Sequence, residues 1–262
     1  MENILPIHLP ASGLSMLRRR VLGAYLAEMR SECLRYLRAP GFILPMTLFS
    51  TVFYLMFGVL INHGNAEAAR YLLASYSAFG IMGPGLFGFG VSLAIERDGG
   101  LLTLKRALPM PPGAYLLGKM VMAMVAATIV TVLLLLIGVF LAYVELSGRQ
   151  IVALLLTGMF GVLPFCALGM FVGTLIKGQG APGLLNLVYL PMAFLSGLWL
   201  PLSMLPVALQ RIAPIWPSYH LNQLTQAAVG LNQRPLWLHV LVLAGFAVAF
   251  LLLAARRLRR HG

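Results

Sequence analysis

Residues Glu96–Lys119 read ERDGGLLTLKRALPMPPGAYLLGK and form the only long charge-bearing segment between apolar runs in the middle of the chain. The segment opens with an acidic and basic cluster, and the pair Gly99–Gly100 then breaks the helix that precedes it. Residues 101–108 predict one or two amphipathic turns, and a group of prolines after them ends any helix. We therefore expect a short helix held between two membrane spans, in a form that suits docking on a soluble partner.

The chain as a whole is far more apolar than a soluble domain. Of its 262 residues 60% are hydrophobic and only 10% are charged, whereas a soluble globular domain carries about 25% charged residues. The excess of 19 Lys and Arg over 7 Asp and Glu would indicate nucleic-acid binding in a soluble protein. At the ends of membrane spans the same excess sets topology instead. We therefore expect an integral membrane protein that contacts the lipid bilayer and no nucleic acid.

Six apolar segments are each about long enough to cross a bilayer, for which about 20 residues are needed. The basic residues divide unequally between the two sides that these spans define, with 15 Lys and Arg on one side and 4 on the other. Because basic loops stay in the cytoplasm, the imbalance predicts that both termini and the Glu96–Lys119 segment are cytoplasmic. The six segments are Phe42–Ile61, Tyr71–Ile95, Leu117–Val144, Ile151–Ile176, Leu184–Leu205 and Leu236–Ala255.

Residues Leu14–Arg38 predict a helix that lies along the membrane surface. Its apolar side chains, among them Leu22 and Leu26, recur at three- and four-residue steps, and charged residues such as Glu32 fill the other faces. Such a pattern places the apolar face in lipid and the arginines towards anionic head groups. A helix of a soluble domain is the alternative, although the first span follows immediately after Pro40–Gly41.

The segment between the fifth and sixth apolar runs, Ser196–Tyr219, is too broken for a span and too apolar for an ordinary loop. It holds Trp199 and Trp216, and several prolines interrupt it. Because tryptophan is enriched at membrane interfaces, we expect short re-entrant helices that dip into the outer half of the bilayer. Residues 1–262 are thus predicted to form one all-α integral membrane domain with six transmembrane helices.

Glycine is concentrated in the second apolar run, where five glycines and Pro84 fall within residues 80–90. Gly169 and Gly173 form a GxxxG pattern in the fourth run. Small residues let helices approach closely in lipid. We interpret both groups as helix-packing positions and expect a kink at Pro84.

Residues 113–119, GAYLLGK, match seven positions of the phosphate-binding loop GxxxxGK, but Met120 stands where that loop requires Ser or Thr. No strand is predicted before the motif, so we interpret Lys119 as a cytoplasmic anchor and not as a phosphate ligand. Cys33 and Cys166 lie in different environments, and the five histidines are scattered without an HExxH pattern. The sequence therefore predicts no metal site and no catalytic residue.

None of the seven acidic residues falls in the middle of an apolar run. Carriers that are driven by an ion gradient usually need an ionisable residue within the membrane to bind the coupling ion. The energy for any transport is therefore expected from a partner. Two alternatives stay open, namely an ion-coupled secondary carrier and a membrane scaffold or sensor partner that moves no cargo.

The surface helix, the six apolar runs, the loop ERDGGLLTLKRALPMPP and the broken segment SGLWLPLSMLP…APIWPSYHL together resemble the membrane subunits of ABC-2 type transporters. The resemblance runs from about Leu14 to Arg260 and is nearest to bacterial drug and lipid exporters and nodulation-factor export permeases. It implies a permease of the bacterial cytoplasmic membrane that pairs with a second copy of itself and with two separate ATP-binding subunits. ATP and Mg²⁺ would bind those subunits. This chain, without an ATP-binding domain, would bind no cofactor, would not be an enzyme, and would export a hydrophobic or amphipathic drug, lipid or glycolipid.

The resemblance also implies roles for individual residues. Residues 96–112 would be the coupling helix region, which docks in a groove of the ATPase, and Leu14–Arg38 would be the connecting helix. Contact with the ATPase would involve Glu96, Arg97, Gly99, Leu101, Leu104, Lys105, Arg106, Leu108 and Pro109. The exit gate would involve Ser196, Gly197, Pro201 and Pro206. Aromatic and Met side chains in the apolar runs are expected to line the substrate path, and the candidates are Tyr76, Met82, Phe87 and Phe194.

Overall fold

The computed structural model describes residues 11–62, 64–101, 104, 111–232 and 235–261 of the chain. Every regular element in these residues is a helix, which confirms the predicted all-helical class. The α-helices are α1 (Ala11–Leu37), α2 (Pro40–Tyr54), α3 (Ala66–Gly83), α4 (Gly90–Asp98), α5 (Pro112–Phe140), α6 (Gly148–Gly161), α7 (Leu163–Gly173), α8 (Ala181–Leu195), α9 (Val207–Ile212), α10 (Pro217–Ala228) and α11 (Trp237–His261).

Two turns of π-helix lengthen these elements. Residues Leu55–Leu60 continue α2, and Pro84–Phe89 join α3 to α4 into one long helix. Proline has no backbone N–H, so Pro84 cannot donate the hydrogen bond of a regular α-helix. The backbone hydrogen-bond pattern changes from α-helical to π-helical at that residue. The irregularity therefore falls where the sequence predicted a kink.

Four helical segments are long and apolar enough to cross a membrane: Ala66–Asp98, Gly113–Phe140, Gly148–Gly173 and Trp237–Arg257. The six predicted spans are therefore not all confirmed. The first corresponds to a shorter apolar helix, Thr47–Leu60, and the fifth to α8. At 15 residues α8 is only about 22 Å long, which is short of the roughly 30 Å of a hydrocarbon core.

The predicted fifth span ends early because the chain turns sharply after α8. Gly197 has φ +74°, a conformation that favours glycine, and its carbonyl accepts a hydrogen bond from the Tyr71 hydroxyl. The segment after it forms short helical pieces: the 3₁₀ turn Leu202–Met204, then α9 and the 3₁₀ turn Ala213–Ile215. The prolines thus start short helices, as expected, but a re-entrant path through a bilayer is not confirmed.

Close contacts between glycines fix the centre of the bundle, where α7 crosses the Pro84–Phe89 turn and α4. A Cβ atom on Gly169 would lie 2.7 Å from the carbonyl oxygens of Gly85 and Leu86. A Cβ atom on Gly173 would lie 2.6 Å from the carbonyl oxygen of Gly90. Both distances are too short for any side chain, so the interpretation of the GxxxG pattern as a packing motif is confirmed.

The helices define two ends of the bundle. The end that we call the Lys119 end carries the second half of α1, the C-termini of α4 and α11, and the N-terminus of α5. The Trp199 end carries the N-termini of α3, α6 and α11 together with residues 196–216.

Candidate functional site

The last three residues of α4 each bind a different part of the Lys119 end. The guanidinium of Arg97 donates through Nη1 to the carbonyl of Thr174 and through Nη2 to that of Ile176, both at 2.7 Å. These carbonyls follow α7, so the cation satisfies acceptors that a helix end leaves free. The carboxylate of Asp98 accepts a hydrogen bond of 2.6 Å from the backbone N–H of Gly178. The end of α4 is thereby fixed to the turn between α7 and α8.

Glu96 belongs to a group of four charged residues, Glu32, Arg35, Glu96 and Lys119, which we call the four-charge cluster. Lys119 Nζ lies 3.0 Å from Glu96 Oε1 and 3.2 Å from Glu32 Oε2. Arg35 Nη2 lies 2.5 Å from Glu96 Oε1 and 2.6 Å from Glu32 Oε2. The cluster therefore joins α1, α4 and α5, three elements that are distant in sequence.

Two hydroxyl groups complete the cluster. Tyr115 donates to Glu96 Oε2 at 2.7 Å, and Lys119 Nζ donates to Ser92 Oγ at 2.8 Å. The ammonium of Lys119 also lies 5.1 Å from the centre of the Tyr115 ring, one helical turn before it on α5. The side-chain oxygens of Glu96 and all three donor positions of Lys119 are thus engaged within the chain.

Burial makes this pairing necessary. Lys119 is completely buried and Glu32 and Glu96 are each 3% exposed, whereas the side chain of Arg35 is 48% exposed. Two carboxylates and two cations sum to zero, so the cluster places no net charge in the bundle. Burial alone would lower the pKa of Arg35, but the carboxylates of Glu96 and Glu32 outweigh it and raise that pKa above its usual value.

Two sequence interpretations are corrected by this cluster. Lys119 is not an anchor at the membrane surface, because it lies about two turns inside α5 and points between α1 and α4. Glu32 is not on an outward polar face of α1, because it is buried on the side of α1 that packs on α5. The rest of the pattern on α1 fits a surface helix, since Leu22 and Leu26 are exposed.

The motif GAYLLGK adopts no phosphate-binding loop. Residues 113–119 lie within α5, where backbone N–H groups bond along the helix, and the side chain of Lys119 is taken by the cluster. Gly113 and Gly118 instead make room for α1, since Cβ atoms there would lie 3.0 Å from the Tyr25 hydroxyl oxygen and 3.1 Å from Cγ of Glu28.

The segment that begins after α4 is helical at its described residues, Leu101 and Leu104, and presents apolar side chains there. Gly100 has φ +71°, which turns the chain away from the helix axis. Leu101 and Leu104 beyond it are exposed, Leu104 by 63%. The remaining expected contact residues, Lys105, Arg106, Leu108 and Pro109, lie outside the described residues.

The four residues expected on a substrate path do not share one cavity. Tyr76 lines a groove at the Trp199 end, whereas Met82 is fully buried in the core. Phe87 packs edge-on against Tyr189 with ring centres 5.4 Å apart, and Phe194 packs edge-on against Trp199.

The expected gate residues lie together at the Trp199 end. Ser196 is buried and its hydroxyl contacts that of Ser218, which ties the end of α8 to α10. Gly197 makes the turn after α8, and Pro206 precedes α9. Pro201 lines the same groove as Tyr76.

Two histidines form a pair at this end. His220 Nε2 lies 2.9 Å from the carbonyl of Pro214, which makes it a donor, so Nδ1 accepts from Nδ1 of His239 at 2.8 Å. Burial lowers the pKa of His220. Cys33 and Cys166 are both free, and the described residues contain no group of three or more His, Cys, Asp or Glu arranged for a metal.

Sequence reasoning did not find Glu32, Arg35, Ser92, Tyr115 or Lys119 as parts of one site. These residues lie on three helices that are distant in sequence, so the sequence alone does not indicate that their side chains are in contact. One signal was present, since a lysine about two turns into an apolar helix requires a partner.

Two comparisons with known proteins bear on this arrangement. The sequence profile of the ABC-2 type transporter family matches residues 24–229, which reach from α1 to the end of α10. YvfS of Bacillus subtilis (strain 168), a protein provisionally named a transport permease, is 30% identical over 233 residues. The matched region covers 87% of this chain and 93% of that protein.

Proposed function

Because the chain belongs to the ABC-2 type transporter family, we propose that it is the permease subunit of an exporter driven by a separate ATP-binding subunit. The family resemblance expected from the sequence is confirmed. A member of this family is a component of membrane transport and not an enzyme. ATP and Mg²⁺ would bind the partner, and this chain would convert the partner's motion into movement of cargo.

The observation that carries the proposal is the attachment of the segment at residues 96–112 to the rest of the bundle. Glu96 ties its start to α1 and α5 through the four-charge cluster, and Arg97 and Asp98 tie it to the turn after α7. A force applied to the loop is thus passed to three parts of the bundle at once. The exposed Leu101 and Leu104 offer apolar contacts to a partner.

The charges on this end set the proposed orientation. The Lys119 end carries Arg97, Lys177 and the arginines at the end of α11, so it would face the cytoplasm of a bacterium and the ATP-binding subunit. The Trp199 end would face outward. Under this arrangement α2 and α8 would complete six crossings, and residues 196–219 would form a re-entrant exit gate.

We further propose a complex of two permeases and two ATP-binding subunits, with cargo moving through the seam between the permeases. The cargo would be hydrophobic or amphipathic, such as a drug, lipid or glycolipid. A chain with so much exposed apolar surface on α2 and α8, including Leu48, Val52 and Leu187, must cover it with lipid or with another copy.

The test is the ATPase rate of the complex in lipid nanodiscs, after co-purification of the permease with a candidate ATP-binding subunit. Leu104→Asp and Arg106→Glu alter the proposed docking loop. The matched controls are Leu236→Asp and Arg149→Glu, which place the same changes on exposed residues at the Trp199 end.

We expect the loop variants to lose co-purification or the coupling of ATP hydrolysis to the permease, while the controls behave as wild type. Failure of the wild-type permease to bind any ATP-binding subunit would contradict the proposal. Equal effects of loop and control variants would contradict the placement of the docking site.

A further inference from the structure

A groove of about 500 Å³ opens at the Trp199 end between α2, the start of α3 and residues 199–204. Its walls are largely aromatic and aliphatic. Phe53, Phe57 and Tyr76 form one side and Trp199 with Pro201 forms another. The rings are in mutual contact, with the centres of Phe53 and Phe57 6.0 Å apart and those of Phe53 and Tyr76 6.4 Å apart. Flat apolar molecules are the ligands that such walls favour.

Two residues that line the groove, Tyr76 and Trp199, have hydrogen-bond donors for which the described part of the chain shows no acceptor. The indole N–H of Trp199 is buried without an acceptor among the described groups. The hydroxyls of Tyr54, Tyr71 and Tyr189 each donate to a backbone carbonyl, and Tyr76 makes no such bond in the described part of the chain although it is 1% exposed. A buried donor without a partner costs free energy, so an acceptor supplied by a ligand would be favoured.

Charge narrows the class of ligand. None of the described side chains that line the groove is charged, and the polar ones besides Tyr76 and Trp199 are Asn62 and Asn65. Both asparagines are engaged locally, since Asn62 donates to the carbonyl of Asn65 and the side chain of Asn65 caps α3. A charged molecule would lose hydration here without gaining a partner.

We propose that this groove binds a neutral, aromatic molecule that carries an oxygen acceptor, held by ring contacts and by donors from Tyr76 and Trp199. The inference deepens the proposed export function, because it names the class of cargo and its place at the exit end. Binding at equilibrium needs no ATP, so it is tested on the full-length permease alone and succeeds or fails independently of coupling to an ATPase.

The experiment is equilibrium dialysis of two dyes against permease nanodiscs, with empty nanodiscs of the same lipid to subtract partitioning. Nile red is neutral and aromatic and carries a ring carbonyl, whereas pyrene is an aromatic hydrocarbon without an acceptor. Tyr76→Phe and Trp199→Phe each remove one donor and keep a ring. Tyr143→Phe and Trp237→Phe are the matched controls, since these residues are 79% and 66% exposed and lie outside the groove.

We expect Nile red to bind the wild-type permease saturably. Its affinity should fall about fivefold in each groove variant, which is the effect of losing one neutral hydrogen bond. The affinity should be unchanged in both controls. Pyrene binding should not respond to Tyr76→Phe. Phe57→Ala, at a partly exposed position that tolerates change, should weaken both dyes.

Two results would overturn the inference. One is Nile red binding that is absent or equal in wild type and groove variants. The other is a groove filled by a second copy of the chain. This would be seen as a cross-link between two Met204→Cys protomers whose yield does not fall when Nile red is added.

Discussion

Replacing Lys119 by Met should destabilise the protein strongly, although the change preserves most of the side-chain volume. Lys119 Nζ donates to Glu32, Ser92 and Glu96 from a fully buried position. Without it, two buried carboxylates share one guanidinium that is itself half exposed. Removing one partner of a buried ion pair costs about 3–5 kcal/mol, and we expect a loss of this size in the free energy of unfolding.

The assay is reversible unfolding in mixed micelles of detergent and SDS, followed by helical circular dichroism. Lys177→Met is the matched control, because Lys177 is exposed, and it should change the free energy of unfolding by no more than about 0.5 kcal/mol. The double variant Glu96→Gln with Lys119→Met removes opposite charges and leaves Glu32 paired with Arg35. Its cost should fall below the sum of the two single costs by at least about 1 kcal/mol. A loss for Lys119→Met no larger than that of Lys177→Met would refute the assignment of a buried ion cluster.

Three further predictions concern packing, helix ends and pH. Gly169→Ala should lower the free energy of unfolding by about 1–3 kcal/mol in the same assay, because its Cβ would meet two backbone oxygens at 2.7 Å, and Gly183→Ala, with open space around it, should be neutral. Arg97→Gln should cost about 1–3 kcal/mol, since two carbonyls after α7 lose a charged donor, and an unaltered stability would show that the bonds at 2.7 Å do not form. Burial lowers the pKa of His220, so below its ordinary value of about 6.5 the unfolded chain binds a proton that the folded chain does not. Stability should therefore decrease as the pH falls from about 6.5 through the lower pKa of the folded state, and His220→Gln should flatten this dependence in unfolding curves recorded between pH 8 and 5.

The features that the sequence predicted well are those encoded locally. Helical class follows from the apolar runs, and the packing role of Gly169 and Gly173 follows from small residues spaced on one helical face. The break after α4 follows from Gly99–Gly100, where a positive φ at Gly100 is needed. Each of these depends on residues within about one or two helical turns.

The features that the sequence did not predict depend on tertiary contacts. The packing of α1 on α5 decides whether Lys119 lies at a surface or in a cluster. It brings Glu32, which is 87 residues away in the sequence, into contact with Lys119. The length of α8 was overestimated because hydropathy continues past Leu195, while the turn at Gly197 and the contact between Ser196 and Ser218 end the helix. A run of apolar residues indicates burial in protein or lipid, but it does not by itself predict the residue at which a helix ends.

The proposed substrate path shows the same limit. Residue type within apolar runs is the basis for predicting a path of Tyr76, Met82, Phe87 and Phe194, and type alone does not separate core from groove. Only the structure distinguishes Tyr76 from the other three, because it lines the same groove as Trp199, whose indole N–H has no acceptor among the described groups.

The measurement that tests the central claim most directly is site-specific cross-linking of the permease to its ATP-binding subunit. In a background with Cys33 and Cys166 replaced by Ser, a single cysteine is placed at Leu104, in the exposed loop after α4, or at Arg149, at the opposite end. We predict that Leu104→Cys forms a cross-link with the ATP-binding subunit in membranes and that Arg149→Cys does not. A complex that cross-links through position 149, or that forms without any cross-link at position 104, would contradict the account.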